Sequence, residues 1–89
     1  MFYVYILQSL KDKELYTGYT NNLRKRLLKH TTGKVFSTKS RRPLQCMYVE
    51  TCLHEYDAKQ REKYLKTAVG KRFIKYRLKH YFKSLTENT

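Results

Sequence analysis

Acidic side chains are scarce in this sequence: seven Asp and Glu stand against twenty Lys and Arg in 89 residues, a net charge of +13. Each carboxylate is therefore conspicuous, and so positive a surface draws polyanions. Cysteine is rarer still. Cys46 and Cys52 are the only two and fall on one expected strand, ~20 Å apart when extended, too far for a disulfide. They read as reduced core residues of a cytoplasmic protein. Neither belongs to a close ligand pair and His54 alone cannot complete a set, which argues against zinc and leaves a hard, oxygen-liganded ion as the metal candidate.

No apolar run reaches the length of a membrane span, and neither a signal peptide nor a lipidation motif is expected. One proline and three glycines, with no repeat and no low-complexity tract, mark no linker. The expectation is a single domain over residues 1–85 with a short disordered tail at 86–89. That is too small for a catalytic domain plus a separate recognition domain. What the chain has instead is basic residues spread throughout and interleaved with nine tyrosines, which favours nucleic acid over anionic lipid as partner.

Phe2–Leu7 is apolar or aromatic throughout, the pattern of a short central strand buried on both faces. The polar stretch 8–14 turns the chain, and β-formers resume at Leu15–Tyr19, giving an antiparallel hairpin. Thr20, Asn21 and Asn22 offer N-caps for a helix reaching about Thr32, where Gly33 stops it. Its buried stripe is Leu23 and Leu27; Arg26 and His30, one turn apart, run along the stripe's edge, while Arg24, Lys25 and Lys29 face water. Lys34–Pro43 is a Ser/Thr/Lys/Arg-rich loop or one short helical turn, and Leu44–Leu53 a third strand. Glu55–Val69 forms a helix interrupted by Gly70, and Lys71–Leu85 a last helix with Phe73, Ile74, Leu78, Tyr81 and Phe82 toward the core. The order strand, strand, helix, strand, helix, helix describes an α/β domain with a small three-stranded antiparallel sheet flanked by helices.

Chemistry concentrates at a few positions. Ala58, Glu62, Leu65 and Val69 share one helix face, so Glu62 puts a carboxylate on a stripe meant for the core. Such a group needs a cation or hydrogen-bond donors: Glu62 is a metal ligand, or it leans outward to pair with Arg61 or Lys66. Tyr3 and Tyr5 share a face of the first strand. Tyr16 and Gly18 share one of the second, where the glycine marks a close approach, a bulge or a strand end. Arg26 and His30 are solvated, snorkelling side chains or members of a site. With Tyr5, Tyr16 and Glu62 they would supply a base, a cation and a ligand. Lys34, Lys39, Arg41 and Arg42, among the hydroxyls of their loop, suit phosphate contacts. Arg72, Lys75, Arg77, Lys79 and Lys83 make the last helix basic, to follow a phosphate backbone or to keep the chain soluble.

Tyr3-Val4-Tyr5 and Tyr16-Thr17-Gly18, the latter continuing Tyr19-Thr20-Asn21-Asn22-Leu23, stand ahead of Arg26 and His30, eight and twelve residues after the glycine. With Glu62 in Ala58-Lys59-Gln60-Arg61-Glu62, this set resembles the motifs of the GIY-YIG nuclease superfamily, and in particular its small stand-alone bacterial members. The first triplet lacks its glycine, and Thr17 replaces a β-branched apolar residue; both are backbone positions. Asn88 has no convincing alignment to the asparagine that some members carry after the final core elements. The resemblance implies a similar fold and hydrolysis of a nucleic-acid phosphodiester. It makes Tyr5 the general base or water-positioning group, supported by Tyr16. Arg26 would stabilise charge on the scissile phosphate, His30 would hydrogen-bond or relay a proton, and Glu62 would hold one Mg²⁺ or Mn²⁺. A free tyrosine, with a pKa of about 10, needs nearby positive charge or a metal-bound water to act as a base near neutrality.

Two functions stand as alternatives. One is a metal-dependent DNA endonuclease, in repair or on branched or damaged DNA, with a homodimer or a protein partner supplying specificity because no recognition domain is expected. The other is a non-catalytic nucleic-acid-binding module that keeps the five polar residues as a structural network. RNA stays open as the nucleic acid. A base-stacking RNA binder, however, needs exposed aromatics on a sheet face, and Tyr3 and Tyr5 sit on a strand covered on both sides.

Overall fold

The computed structural model describes residues 1–87. The elements are β1 (Phe2–Ser9), β2 (Leu15–Thr20), α1 (Leu23–Thr31), a 3-10 turn at Lys39–Arg41, β3 (Leu44–Cys52), α2 (Glu55–Leu65), α3 (Ala68–Arg77) and α4 (Lys79–Glu87). The sheet is antiparallel in the order β2-β1-β3. The apolar run of β1 therefore takes the centre, with every residue from Val4 to Ser9 buried.

Alternation along β1 separates two layers. Val4 and Ile6 meet Ala58 and Leu65 of α2 and Ile74 of α3 in the main core, ringed by residues such as Leu15, Tyr19, Phe73 and Phe82. Tyr5 points the other way, toward α1 and the 34–43 segment. Asn22 caps α1 by accepting from Lys25 N, and Gly33 follows the helix with φ +77, a left-handed conformation that suits glycine. The 34–43 segment is tied back to the end of β1, where Ser9 Oγ donates to Arg41 O at 2.6 Å and Leu10 N to Pro43 O at 2.8 Å.

Several local expectations give way. In the β1–β3 ladder Ile6 faces Tyr48 but Leu7 faces Cys46, which leaves Met47 as the extra residue of a bulge. Met47 and Tyr48 consequently both pack on the core, against a period of two. Both cysteines are free, but Cys46 is exposed and only Cys52 touches the core. The helix expected to reach Val69 ends at Leu65, and Val69 is 52% exposed. Thr67 caps α3 by accepting from Gly70 N, so Gly70 lies inside a helix rather than between two. A Cβ there would fall 2.1 Å from Tyr64 O and 2.6 Å from Leu65 Cα; the glycine lets the first turn of α3 press against the end of α2. The last expected helix is two, divided at Leu78. α4 runs through Glu87, into the expected tail, and positions 88 and 89, Asn88 included, lie outside the described residues. Among the described residues no helix is long and apolar enough to cross a membrane.

Candidate active site

The buried layer beneath α1 is polar. Tyr5 pairs with Gly18 across the β1–β2 ladder, and the missing side chain there lets the phenol lean over β2. Its oxygen accepts from Arg26 Nε at 3.3 Å and lies 2.8 Å from His30 Nε2. His30 is not at the edge of the helix stripe, as its spacing predicts, but fully buried. Its other nitrogen, Nδ1, lies 2.8 Å from Thr38 Oγ1. Arginine can only donate, so the single phenol proton finds an acceptor when it points to His30 Nε2 and His30 Nδ1–H donates to Thr38. That network assigns the neutral tautomer.

Tyr16 shares the face of β2 that carries Gly18. Its ring meets His30 edge-on with centroids 5.1 Å apart and stands 6.3 Å from the ring of Tyr5. The hydrogen bond to Tyr5 comes first among the causes that raise the pKa of Arg26, with Tyr16 adding to it. Burial pushes the Tyr5 phenol up to about 12, against the pull of Arg26 and with Tyr16 and Glu62 adding to the rise. Burial, and then the charge of Arg26, lowers His30 to about 4. Near neutrality the site thus holds a cation beside a phenol and an imidazole that are both uncharged, a setting that invites one anionic group.

Four of the five site residues expected from the sequence are therefore together, and Glu62 stands apart. It lies on α2, whose Ala58 and Leu65 pack on the Val4–Ile6 side, and borders an open surface with Tyr19 of β2; its carboxylate pairs with Lys66 Nζ at 3.3 Å. Arg61, the other partner open to it, turns to Glu50 of β3 at 2.9 Å. Glu62 still acts on Tyr5 through space, as it does on Tyr19, whose phenol is pushed up to about 12 first by its bond to Glu55. Among the described residues no three His, Cys, Asp or Glu side chains gather as a metal cage. A lone half-buried carboxylate fits a hard ion that keeps most of its waters and takes further ligands from phosphate, once Lys66 releases it.

The cations expected to meet nucleic acid divide between the two sides of the sheet. Lys34, Lys39, Arg41 and Arg42 lie on the segment over the Tyr5 side. Arg41 is half-buried and 3.6 Å from Asp12, and Arg42 Nε donates to Lys39 O. Arg72, Lys75 and Lys79 are exposed on α3 and α4, over the Val4–Ile6 side. There Lys75 joins Lys13, Lys66 and Lys71 around a cavity of about 510 Å³ floored by Ile6, Leu65 and Ile74. Sequence reasoning missed Thr38. It assigned the hydroxyls of that loop to phosphate, whereas Thr38 turns inward, fully buried, to orient His30. Nothing in the sequence distinguishes it from Ser37 or Ser40.

Fold and motif geometry agree with comparison to known proteins. A GIY-YIG catalytic domain matches residues 1–77, and the chain belongs to the GIY-YIG family, a nuclease superfamily. Within it, the chain is 48% identical over 61 residues to a UPF0213 protein of Oceanobacillus iheyensis, covering 67% of this chain and 70% of the relative. It is 38% identical over 78 residues to one of Pediococcus acidilactici, covering 84% and 79%. The solution NMR structure of the UPF0213 protein BH0048 from Bacillus halodurans is similar with a TM-score of 0.52 and 32% identity, over 83% of this chain and 82% of that one.

Proposed function

We propose that this protein is a metal-dependent endonuclease that hydrolyses phosphodiester bonds in DNA, acting in the cytoplasm on branched or damaged strands with a second copy or a protein partner adding specificity. The observation that carries the reading is the Tyr5 phenol held between Arg26 Nε at 3.3 Å and His30 Nε2 at 2.8 Å. A phosphodiester oxygen docks on Arg26, a half-buried cation set against the Tyr5 phenol. As Arg26 turns to the phosphate, a water takes its place against the Tyr5 oxygen, buried until then. The water attacks phosphorus and gives its proton to the phenol oxygen as the phenol proton passes to His30 Nε2. The ester P–O bond opposite the water breaks, and the leaving oxygen takes a proton from solvent. The phenol ends neutral and His30 becomes imidazolium, its Nδ1–H still on Thr38. A resting value of about 4 makes His30 a weak acceptor, and the phosphate anion raises it on arrival. A Mg²⁺ or Mn²⁺ ion held by Glu62 would supply Lewis-acid stabilisation of the departing oxygen.

Supercoiled, branched and single-stranded DNA, and RNA, each with Mg²⁺, Mn²⁺ or EDTA, test the proposal with wild type and Tyr5→Phe. Metal-dependent cleavage is expected, lowered by roughly 10²- to 10⁴-fold in Tyr5→Phe with binding retained. Equal activity of the two proteins moves the base to Tyr16 or His30. Tight binding with no cleavage under any condition favours the alternative, a nucleic-acid-binding module on the same fold.

A further inference from the structure

Phe36 is 85% exposed, and its exposure is built in rather than left by a slack loop. Val35 before it is buried, Thr38 after it is fully buried against His30, and both Thr38 N and Lys39 N bond back to Val35 O, at 3.1 and 2.9 Å. The turn is pinned on both sides of the ring. The ammonium of Lys39 stands 5.0 Å from the ring centroid, while Lys34 and Arg42 are exposed nearby in the chain. From Leu15 to Val49 the sequence carries eight Lys and Arg and no Asp or Glu, and Asp12, the acid beside Arg41, is already paired with it, so the charge of this surface favours an anionic partner. That partner must also offer a flat apolar face to the ring.

We infer that Phe36 is a stacking platform for an unpaired nucleobase of the strand whose phosphate docks at Arg26, with Lys39 on a neighbouring phosphate. In the interior of a duplex both faces of every base are covered by its neighbours, so away from the ends only an unpaired base can present a face to the ring, and the contact selects single-stranded or junction-flanking nucleotides over continuous duplex. Phe36 lies two residues from Thr38, at most ~7 Å along the chain, and Thr38 is bonded to His30. From Thr38 the path to Arg26 continues through His30 and Tyr5 over hydrogen bonds of 2.8, 2.8 and 3.3 Å, so the ring stands several stacked nucleotides, at ~3.4 Å each, from the docked phosphate. Every base has a π-face, so the platform discriminates strand structure rather than sequence. The inference rests on the nucleic-acid reading of the site.

The test is binding in EDTA, which keeps it separate from cleavage. The full chain is titrated against a blunt duplex and against a forked duplex carrying 2-aminopurine at successive unpaired positions. Wild type should prefer the fork and quench the probe at one or two positions. Phe36→Ala should lose about tenfold in affinity for the fork, lose the quenching, and keep both its duplex affinity and its melting temperature; Phe36→Trp should restore the fork affinity. Unchanged fork affinity in Phe36→Ala, an equal loss on blunt duplex, or no quenching by wild type overturns the platform. Quenching by a protein that never cleaves supports the platform and sinks the hydrolase. Failure to bind any nucleic acid, as expected if Phe36 meets a protein instead, sinks both.

Discussion

The Tyr5 ring occupies the space that a side chain at Gly18 would need: a Cβ built on Gly18 would stand 2.3 Å from both Cζ and Oη of Tyr5. Gly18 does not have a positive φ, so the neighbour demands the glycine, not the backbone. Tyr5 cannot yield, because its ring is fully buried and its hydroxyl is held by Arg26 and His30. Gly18→Ala is therefore an overpacking substitution with a cost of about 1–3 kcal/mol, and it should displace the phenol from both partners. Urea unfolding should show the loss of stability, and cleavage by the folded fraction should fall as far as in Tyr5→Phe. Wild-type activity in a folded Gly18→Ala protein would detach Tyr5 from the chemistry.

His30 gives the fold an acid sensitivity of known sign. Its value in the folded protein is about 4, below the ordinary 6.5, so between those pH values the unfolded chain binds the extra proton. Stability should then fall as pH drops through that window, with a slope approaching about 1.4 kcal/mol per pH unit for one proton. Unfolding at pH 7, 5.5 and 4.5 of wild type and His30→Gln checks this. The wild-type curve should carry one more proton of pH dependence, and identical slopes would mean that His30 is not held neutral by the fold.

The two basic groups lie on opposite sides of the sheet, and one straight duplex cannot touch both. Affinity should fall with salt at a log–log slope of about −0.9 per neutralised phosphate. Lys34→Ala, on the Tyr5 side, should flatten that slope by about one unit, and Lys75→Ala should leave it unchanged. Anisotropy titrations between roughly 50 and 200 mM salt decide the matter; equal flattening by both would mean that the nucleic acid wraps the domain.

Parts of this arrangement were legible in the sequence for plain geometric reasons. A run of apolar residues too short for a helix and too continuous for an exposed strand could only be the central β1. Strand parity and a one-turn spacing allowed Tyr5, Tyr16, Arg26 and His30 to reach one side, and there they meet. What escaped depends on contacts between elements distant in sequence. Gly70 reads as a break, yet it serves a close approach to Tyr64 and Leu65. Arg61 and Lys66 both flank Glu62, and the choice between them was made by Glu50 on β3, which claims Arg61. The Met47 bulge is visible only in the register with β1.

Glu62→Gln separates the metal role of this carboxylate from a structural one. Its partner Lys66 is 56% exposed at the side chain and the carboxylate 24%, so the pair belongs with surface (i, i+4) pairs that contribute about 0.3–0.5 kcal/mol. The loss of ~3–5 kcal/mol that follows breaking a buried pair is not expected. Glutamine keeps the shape and removes the charge a hard cation requires; it also removes one of the charges that raise Tyr5. Thermal unfolding and metal-free DNA affinity should therefore match wild type while cleavage with Mn²⁺ disappears, all measured on one preparation. A large stability loss with unchanged specific activity of the protein that remains folded would take Glu62 out of the metal site and leave it as a partner of Lys66.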